Sequence, residues 1–411
     1  MDDMRKRLRK TAKFGIRESY RSVSHEVSHA FKRLTGRARS SRPTFRIAMI
    51  SDWDAWCSDQ QFNPFNEFRS RLADEFDLLF TQMYLDPLGI IPLLSLNVFD
   101  AVMIKLSYRT DPQVAISTVQ KLKDQIGTKP LIYMDGDDDL CIQWGEIAAI
   151  SDLYVKCHAF VDRQNYRISY KGKSNLHDYA IEKHGHVLTG DDYGNPDQPE
   201  LIIRQSGTVR DEDLSKIVVG WNMALSEDIR KLWRQVIDSP PVDKSIDCSF
   251  RGSIKVKTIT GYMRKNAAEH LQNLVDKFDV RVSASHIPLN EYYRELQQSR
   301  ICVSPFGFGE LCWRDFEAVI CRSLLIKPDM SHVETLPNIF QPYVTYVPVK
   351  WDLSDLEDVC AYYLEHSEER EAIVENAFNV LNDYYSSFQF GSTLVNILSK
   401  VRPPEHMGRS S

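Results

Sequence analysis

The sequence lacks an apolar run long enough to cross a bilayer. Its densest apolar stretch, LGIIPLLSL at residues 88–96, reaches about half of the roughly 18 residues that a membrane-spanning helix requires. The first ten residues, MDDMRKRLRK, are charged where a secretory signal would carry its apolar segment. We therefore expect a cytoplasmic protein, whose contact with the inner membrane surface, if any, is peripheral.

Several local motifs are also missing. The eight cysteines form no CxxC pair, so neither zinc sites nor, in an intracellular chain, a disulfide framework is expected. The pattern GxxxxGK[ST] is absent, which gives no support to P-loop phosphoryl transfer. No GxGxxG follows the first predicted strand, so a dinucleotide fold is only weakly indicated.

The composition is that of a folded protein with an uneven charge distribution. The chain has 411 residues, 43% of them hydrophobic, and a net charge of -6, yet residues 1–44 contain 13 Lys/Arg against 4 Asp/Glu. The apolar residues of this segment fall on one half of a helix. We expect residues 1–44 to be a basic arm that contacts an anionic membrane or a partner, or that folds against the body. The acidic remainder argues against nucleic-acid binding.

Strand and helix patterns alternate after Pro43, which predicts an α/β protein with parallel sheets. The segment SPPVDKS at residues 239–245 is typical of a linker. We expect helix across residues 211–237 and loops across residues 163–198. The predicted domains are the arm (1–44), an N-terminal α/β domain (45–240), a C-terminal α/β domain (244–387) and a terminal helix with tail (388–411).

The most informative segment is ICVSPFGFGELCWRDFEAVICRSLLIKPDMSHVETLP at residues 301–337. It predicts a strand, a glycine loop, a helix and a second strand. Gly307 and Gly309 allow backbone N–H groups to approach a ligand closely. The helix that follows offers unpaired N–H donors and a partial positive charge, a combination that suits a diphosphate.

Charged side chains around this loop extend the prediction to a whole nucleoside diphosphate. Arg314 lies in the first helical turn and is able to clamp phosphate oxygens, and Glu317 shares its helix face and is placed to accept from ribose hydroxyls. Lys327 ends the next strand at the same sheet edge. Arg251, in SFRG after the second domain's first strand, is a further phosphate candidate. A tight turn with solvated or structural ion pairs is the plainer alternative for all of these residues.

The segment resembles the C-terminal signature of GT-B glycosyltransferases, in a family-1-like group that reads SPFGxGExCWRDFEA and then KPDMxHxETxP. The resemblance implies two Rossmann-like domains with parallel sheets facing a cleft, a last helix that returns to the first domain, and a nucleotide-sugar donor on the C-terminal domain. It implies that Glu317 meets the ribose and that Glu310 belongs to the donor site. The two glutamates are seven positions apart, not the eight that are frequent in retaining enzymes, so stereochemistry is not carried over.

The loop DGDDD, with Asp135 first and Asp138 fourth, follows another predicted strand. In a GT-B layout it faces the cleft from the acceptor side, where Asp135, or else Asp138, could take the proton of an attacking hydroxyl. A metal-dependent transferase that uses this loop as a DxD motif is an alternative, and a helix-capping acidic loop is another. Of the isolated histidines, His332 has the best case for touching a sugar or phosphate oxygen. The others, including His158, are interpreted as packed or capping residues.

The sequence thus predicts a glycosyltransferase that moves a sugar from a nucleoside-diphosphate sugar to a hydroxyl of a glycan or lipid-linked glycan. No cofactor and no metal ion are expected, because cationic side chains and helix dipoles are available to stabilise the departing diphosphate. A non-catalytic module that binds a nucleotide sugar or a glycan remains the competing class.

Overall fold

The computed structural model describes residues 44–52, 55–85, 98–171, 174–189, 192, 206–240, 242–254, 258–285 and 287–401, with the backbone alone for 55–60. The arm predicted for residues 1–44, apart from Thr44, and the tail from residue 402 lie outside this part of the chain. Every helix so described is too short or too polar to span a bilayer.

The first half of the protein contains a six-stranded parallel sheet. Its strands lie in the order β2-β1-β3-β4-β5-β7. These six strands are β1 (Phe45–Ser51), β2 (Leu78–Tyr84), β3 (Ala101–Lys105), β4 (Leu131–Asp135), β5 (Leu153–Lys156) and β7 (Ile217–Val219). The short strand β6 (His158–Phe160) follows β5 and lies outside this sheet. The helices are α1 (Ala55–Glu67), α2 (Arg69–Phe76), α3 (Pro112–Ile126), α4 (Gly145–Ile150), α5 (Asn175–His184) and α6 (Glu227–Ile237).

The second half contains a five-stranded parallel sheet in the order β13-β11-β10-β8-β9. Its strands, with the short β12, are β8 (Ile246–Arg251), β9 (Val280–Ser283), β10 (Ser299–Val303), β11 (Leu324–Pro328), β12 (Val333–Thr335) and β13 (Val347–Val349). The helices are α7 (Ile259–Gln272), α8 (Leu289–Gln298), α9 (Trp313–Ile320), α10 (Leu356–Glu365), α11 (Ser367–Ser386) and α12 (Gln389–Ser399).

Local sequence explains these elements. In β1, Ile47 and Met49 pack on one face of the sheet and Ala48 and Ile50 on the other, as the two-residue period of a strand requires. The Asp111 side chain accepts hydrogen bonds from two backbone N–H groups of α3, and a proline follows it at the first helical position, where proline is favoured. The predicted fold class is confirmed as an α/β protein with two parallel sheets.

Both sheets reverse their strand order at one point, between β1 and β3 in the first sheet and between β8 and β10 in the second. In open parallel sheets, ligands bind outside the carboxyl ends of the strands at such a point. In the second sheet, a ligand is therefore expected beside two loops. One follows Arg251, and the other, at residues 304–312, contains the glycine motif.

The two halves are joined by more than the linker. β6 of the first half pairs antiparallel with β12 of the second, so that Thr335 lies opposite His158, and Arg163 bonds Glu334 at 2.6 Å across the same ribbon. One large buried cluster includes side chains from both sheets. The last helix, α12, packs in the first half beside β1. The two halves therefore share one hydrophobic core.

Two expectations about secondary structure are wrong. Residues 211–237 are not one helix, because β7 at Ile217–Val219 interrupts it and only α6 is α-helical; the apolar triplet IVV is too short to show strand periodicity. Residues 163–198 are not all loop, since α5 lies within them. Its sequence NLHDYAIEKH has a weak apolar stripe that polar neighbours obscure.

Candidate active site

The glycine loop at residues 304–312 is held at both ends by one buried carboxylate. Asp315 in the first turn of α9 accepts from Ser304 Oγ at 2.5 Å and from the Cys312 backbone N–H at 2.8 Å. The Lys327 ammonium, fully buried at the end of β11, lies 3.1 Å from the same carboxylate. Sequence reasoning placed Lys327 on the donor phosphates; in the structure its charge neutralises Asp315, which sequence reasoning missed.

The loop brings Gly309 against the first half of the protein. A Cβ atom at this position would lie 1.4 Å from the carbonyl oxygen of Asp138, in the DGDDD loop after β4. Within the loop, the Gly307 N–H donates to the Gly309 carbonyl at 3.0 Å. The carboxyl ends of the two sheets therefore face one another, and only glycine permits this approach at position 309.

Glu310 follows directly and is fully buried between two histidines from different segments of the chain. His158 Nε2, at the start of β6, lies 3.6 Å from Glu310 Oε2, and His332 Nε2, just before β12, lies 3.9 Å from Oε1. His158 is buried, whereas the His332 side chain is 24% exposed. The antiparallel ribbon thus places both imidazoles on one carboxylate.

Charge explains the protonation of this cluster. Burial alone would raise the pKa of Glu310, but the His158 and His332 imidazoles lower it to about 2. Burial would lower the pKa of His158, whereas the neighbouring Cys157 thiol and the Glu310 carboxylate raise it to about 10. At neutral pH the centre therefore holds a buried carboxylate beside an imidazolium.

The predicted diphosphate and ribose residues form a second group, around α8. The Arg314 guanidinium lies over the Phe250 ring, 5.0 Å from its centroid, and donates to the Arg251 carbonyl oxygen. Its buried Nε atom has no partner among the described residues. Arg251 itself makes two hydrogen bonds of 2.6 Å to Glu295.

Glu317 belongs to the same group. Its carboxylate accepts from the Tyr292 hydroxyl at 2.8 Å, and burial raises its pKa. Tyr292 and the guanidinium of Arg314 border this carboxylate. Arg314 and Glu317 therefore lie close together, at the end of the second sheet where its strand order reverses.

The two candidate aspartates of the DGDDD loop differ in their surroundings. Asp135 is buried at the end of β4 and accepts from Tyr154 at 2.8 Å and from the buried Lys156 ammonium at 3.0 Å. Burial would raise the pKa of Asp135, but Lys156 and Lys105 lower it. Asp138 is exposed and borders a small cavity beside His158. The structure thus brings Asp138, not Asp135, to the contact between the halves.

His158 is the member of the central cluster that sequence reasoning did not select. The only local signal was its position at the end of a strand predicted for Leu153–His158. Its partner Glu310 is distant in sequence, and the ribbon that brings the two together has no motif of its own. Among the described residues, no group of three or more His, Cys, Asp or Glu side chains stands close enough to hold a metal ion.

Comparison with known sequences supports part of this picture. Residues 256–389, about a third of the chain, match a family model described as "Glycosyl transferase-like". The predicted enzyme class, a glycosyltransferase, is confirmed over this segment, whereas the specific donor signature stays a prediction. A search of curated proteins found no match.

Solved structures with a similar chain path include the following three. A glycosyltransferase from Rickettsia africae ESF-5 is 10% identical over 87% of this chain and 98% of its own, with a TM-score of 0.44. A UDP-forming α,α-trehalose-phosphate synthase from Burkholderia xenovorans is 9% identical over 87% and 99%, at 0.46. The pneumococcal O-GlcNAc transferase GtfA, in complex with UDP and GlcNAc, is 12% identical over 75% and 59%, at 0.41. Because these TM-scores are below 0.5, we base no conclusion on them.

Proposed function

We propose that this protein transfers a sugar from a nucleoside-diphosphate sugar to a hydroxyl of a glycan or lipid-linked glycan. The second half would hold the donor and the first half the acceptor. One observation carries this proposal: the glycine loop of the glycosyltransferase-like half lies directly on the DGDDD loop of the other half, at Gly309 and Asp138. A donor and an acceptor bound by these loops would meet there.

The donor would lie where the second sheet reverses its strand order. Breaking the sugar–phosphate bond leaves negative charge on the diphosphate, which fixed cations and dipoles are able to stabilise without a metal ion. Arg314 offers a buried N–H that has no partner among the described residues. The Gly307 N–H of the adjacent loop would reach a phosphate by exchanging its bond to the Gly309 carbonyl. Arg251 would reach the diphosphate only by exchanging Glu295 for a phosphate.

Glu317 would accept from the ribose hydroxyls in place of the Tyr292 hydroxyl. Glu310 and His332 would face the transferred sugar, because His332 is the partly exposed member of the central cluster. Asp138 would take the proton of the attacking hydroxyl. Asp135 would hold the loop in place through Lys156, since that ion pair already occupies its carboxylate.

The proposal is tested by a thermal-shift screen against UDP, GDP, ADP, CMP and dTDP, followed by assay of the corresponding nucleotide sugars. A ligand that binds only the folded protein raises its melting temperature, so we expect one nucleotide to do so and its sugar to be turned over. No shift with any of the five would contradict the proposal, and binding without turnover would indicate a non-catalytic module.

Metal dependence is decided in the same assay. Because the proposed diphosphate site consists of an arginine and backbone amides, we expect turnover to persist in excess EDTA. Complete loss of activity in EDTA, with recovery on addition of Mn²⁺, would instead support a metal-dependent transferase that uses the DGDDD loop.

A further inference from the structure

A further arginine, Arg264, lies beside the residues of the proposed donor site. It belongs to the second turn of α7 and is partly exposed. Its guanidinium donates to the Ser253 carbonyl oxygen at 3.2 Å, and a Cβ atom at Gly252 would lie 3.4 Å from its Cδ atom. Arg264 therefore packs on the loop that follows β8, where the second sheet reverses its strand order.

The helix α7 also borders the glycine loop. Thr260 lies four residues before Arg264, on the same face of the helix, and its buried hydroxyl donates to the Gly307 carbonyl oxygen at 3.2 Å. At the end of the glycine loop, the Cys312 thiol lies within the field of both Arg264 and Arg314. The two guanidiniums therefore lie near one another, between the loop after β8 and the glycine loop.

The carboxylates around these cations are too few to pair with all of them. Arg251 already has Glu295 as a bidentate partner. Glu317 is the carboxylate beside Arg314, and burial raises its pKa, which disfavours its charged form. Arg264 forms no ion pair with a carboxylate of the described residues, and the charge that acts on it is the like charge of Arg314.

Two like charges that are partly withdrawn from water destabilise one another. Burial and the neighbouring Arg314 guanidinium both lower the pKa of Arg264. An anion that contacts both guanidiniums would remove this repulsion, and the planar fork of arginine matches phosphate oxygens. The arrangement therefore favours a ligand with at least two negative charges.

The side chains, not the start of α7, would hold this ligand. The Ile259 N–H already donates to the buried Asp192 carboxylate at 2.7 Å, and the Gly261 N–H donates to the Thr258 hydroxyl at 2.9 Å. Protein groups thus occupy these donors of the first helical turn.

We propose that Arg264 and Arg314 together form a clamp for the diphosphate of the donor, with one phosphate on each guanidinium. This inference rests on the proposed function, to which it adds Arg264 as a binding residue. It also explains a choice of substrate class, because a nucleoside monophosphate would reach only one of the two arginines. The clamp therefore selects nucleoside diphosphates.

The first test uses inorganic pyrophosphate in excess EDTA, a probe that needs neither a base nor a sugar. Pyrophosphate should raise the melting temperature of the wild-type protein. Arg264→Met keeps the apolar stem on Gly252 and should weaken pyrophosphate binding about 10- to 100-fold in calorimetry, the loss expected from one charge-assisted contact.

Lys265→Met is the matched control. It removes a positive charge from the same helix, but Lys265 is exposed and pairs with Glu269 at 3.2 Å. Its affinity for pyrophosphate should stay within about twofold of the wild type, because a solvated charge contributes little.

The second test compares the nucleoside diphosphate that the thermal-shift screen selects with its monophosphate. The wild-type protein should bind the diphosphate at least about 10-fold more tightly. Arg264→Met should lose most of this preference and Lys265→Met should keep it.

Equal pyrophosphate affinity of Arg264→Met and Lys265→Met, or no binding by the wild type, would overturn the clamp. A lower melting temperature of Arg264→Met with unchanged pyrophosphate affinity would also overturn it, since Arg264 would then only support the loop after β8. Pyrophosphate binding through Arg264 without binding of any nucleotide would contradict the proposed function alone. Turnover of a nucleotide sugar with unchanged pyrophosphate binding by Arg264→Met would contradict the clamp alone.

Discussion

Two aspartates of the DGDDD loop, Asp135 and Asp138, have opposite surroundings. Their order in the sequence favoured Asp135 as the base, because it is nearest to the strand end. The structure gives Asp135 a buried lysine as its partner and leaves Asp138 exposed beside the glycine loop. The identity of Lys156 as that partner depends on the pairing of β4 with β5, which the loop sequence does not contain.

We expect Asp135→Asn to destabilise the protein by about 3–5 kcal/mol, because it leaves the buried Lys156 charge without its partner. Asp138→Asn should leave stability unchanged and lower turnover by about 10²- to 10⁴-fold, the usual contribution of a general base. Urea unfolding and a transfer assay measure the two effects. A stable but inactive Asp135→Asn protein would show that Asp135 is the base.

The His158–Glu310 pair predicts a pH dependence of stability. The folded pKa of His158, about 10, lies above the unfolded value of about 6.5. The folded state therefore binds the extra proton, and the stabilisation is complete below about pH 6.5 and is lost as the pH rises towards 10. Because one proton is involved, the slope is at most about 1.4 kcal/mol per pH unit.

Urea midpoints measured between pH 6 and 10 check this expectation. The wild-type protein should lose stability across this range relative to His158→Gln, which cannot bind the proton. Parallel stability curves for the wild type and His158→Gln from pH 6 to 10 would show that His158 is neutral in the folded state.

Glu310 affects stability at acidic pH. Its folded pKa is about 2, so the stability it contributes is present above about pH 4.5 and is lost as the pH falls towards 2.

At the level of elements, local sequence predicted the second half well. The strand, glycine loop, helix and strand at residues 299–328 lie where the motif indicates, and Arg314 and Glu317 share a neighbourhood. The short strands β6 and β12 escaped prediction, because each has three residues and acquires its role only by pairing with the other. The central cluster depends on that pairing, so it could not be predicted from either segment alone.

The helix α12 offers a test at this scale. Gly391 lies so close to the rest of the first half that a Cβ atom would be 2.6 Å from the Phe76 ring and 2.7 Å from the Phe388 ring. Gly391→Ala should therefore cost about 1–3 kcal/mol through overpacking. Ser392→Ala, at an exposed neighbour in the same helix, is the control in urea unfolding. Equal stability of the two variants would mean that α12 does not pack tightly in the first half.

At the level of the molecule, the close contact between Gly309 and Asp138 makes the two halves one site. Gly309→Ala should force the glycine loop away from the first half and lower turnover about 100-fold, since small misplacements of reacting groups have effects of this size. Nucleotide affinity should fall much less than turnover, because Arg314 and Glu317 lie outside the glycine loop and would still hold the nucleotide.

Gly307→Ala is the matched control for this experiment. A Cβ atom there would meet the Cys312 sulfur at 3.1 Å, a side chain of the same loop. We expect a smaller loss of turnover than with Gly309→Ala. Equal losses would indicate that the loop acts within the second half alone.

The basic arm is tested at the same scale. Deletion of residues 1–42 should reduce binding to anionic vesicles, since this segment carries most of its charge as Lys and Arg. Turnover in solution should stay within about twofold of the wild type. Sedimentation with vesicles of anionic and of neutral lipid measures the difference, and unchanged binding would remove the proposed membrane contact.

The helix α11 sets a geometric condition on any closing of the site around its substrates. It has twenty residues, about 30 Å in length. Ile373 near its beginning packs in the core of the second half, and Tyr384 near its end packs in the core of the first. A rigid rod anchored in both bodies keeps their separation constant. Together with the shared core and the β6–β12 ribbon, this strut opposes any separation of the halves along its axis, so a closing motion around substrates would have to be a rotation about the helix.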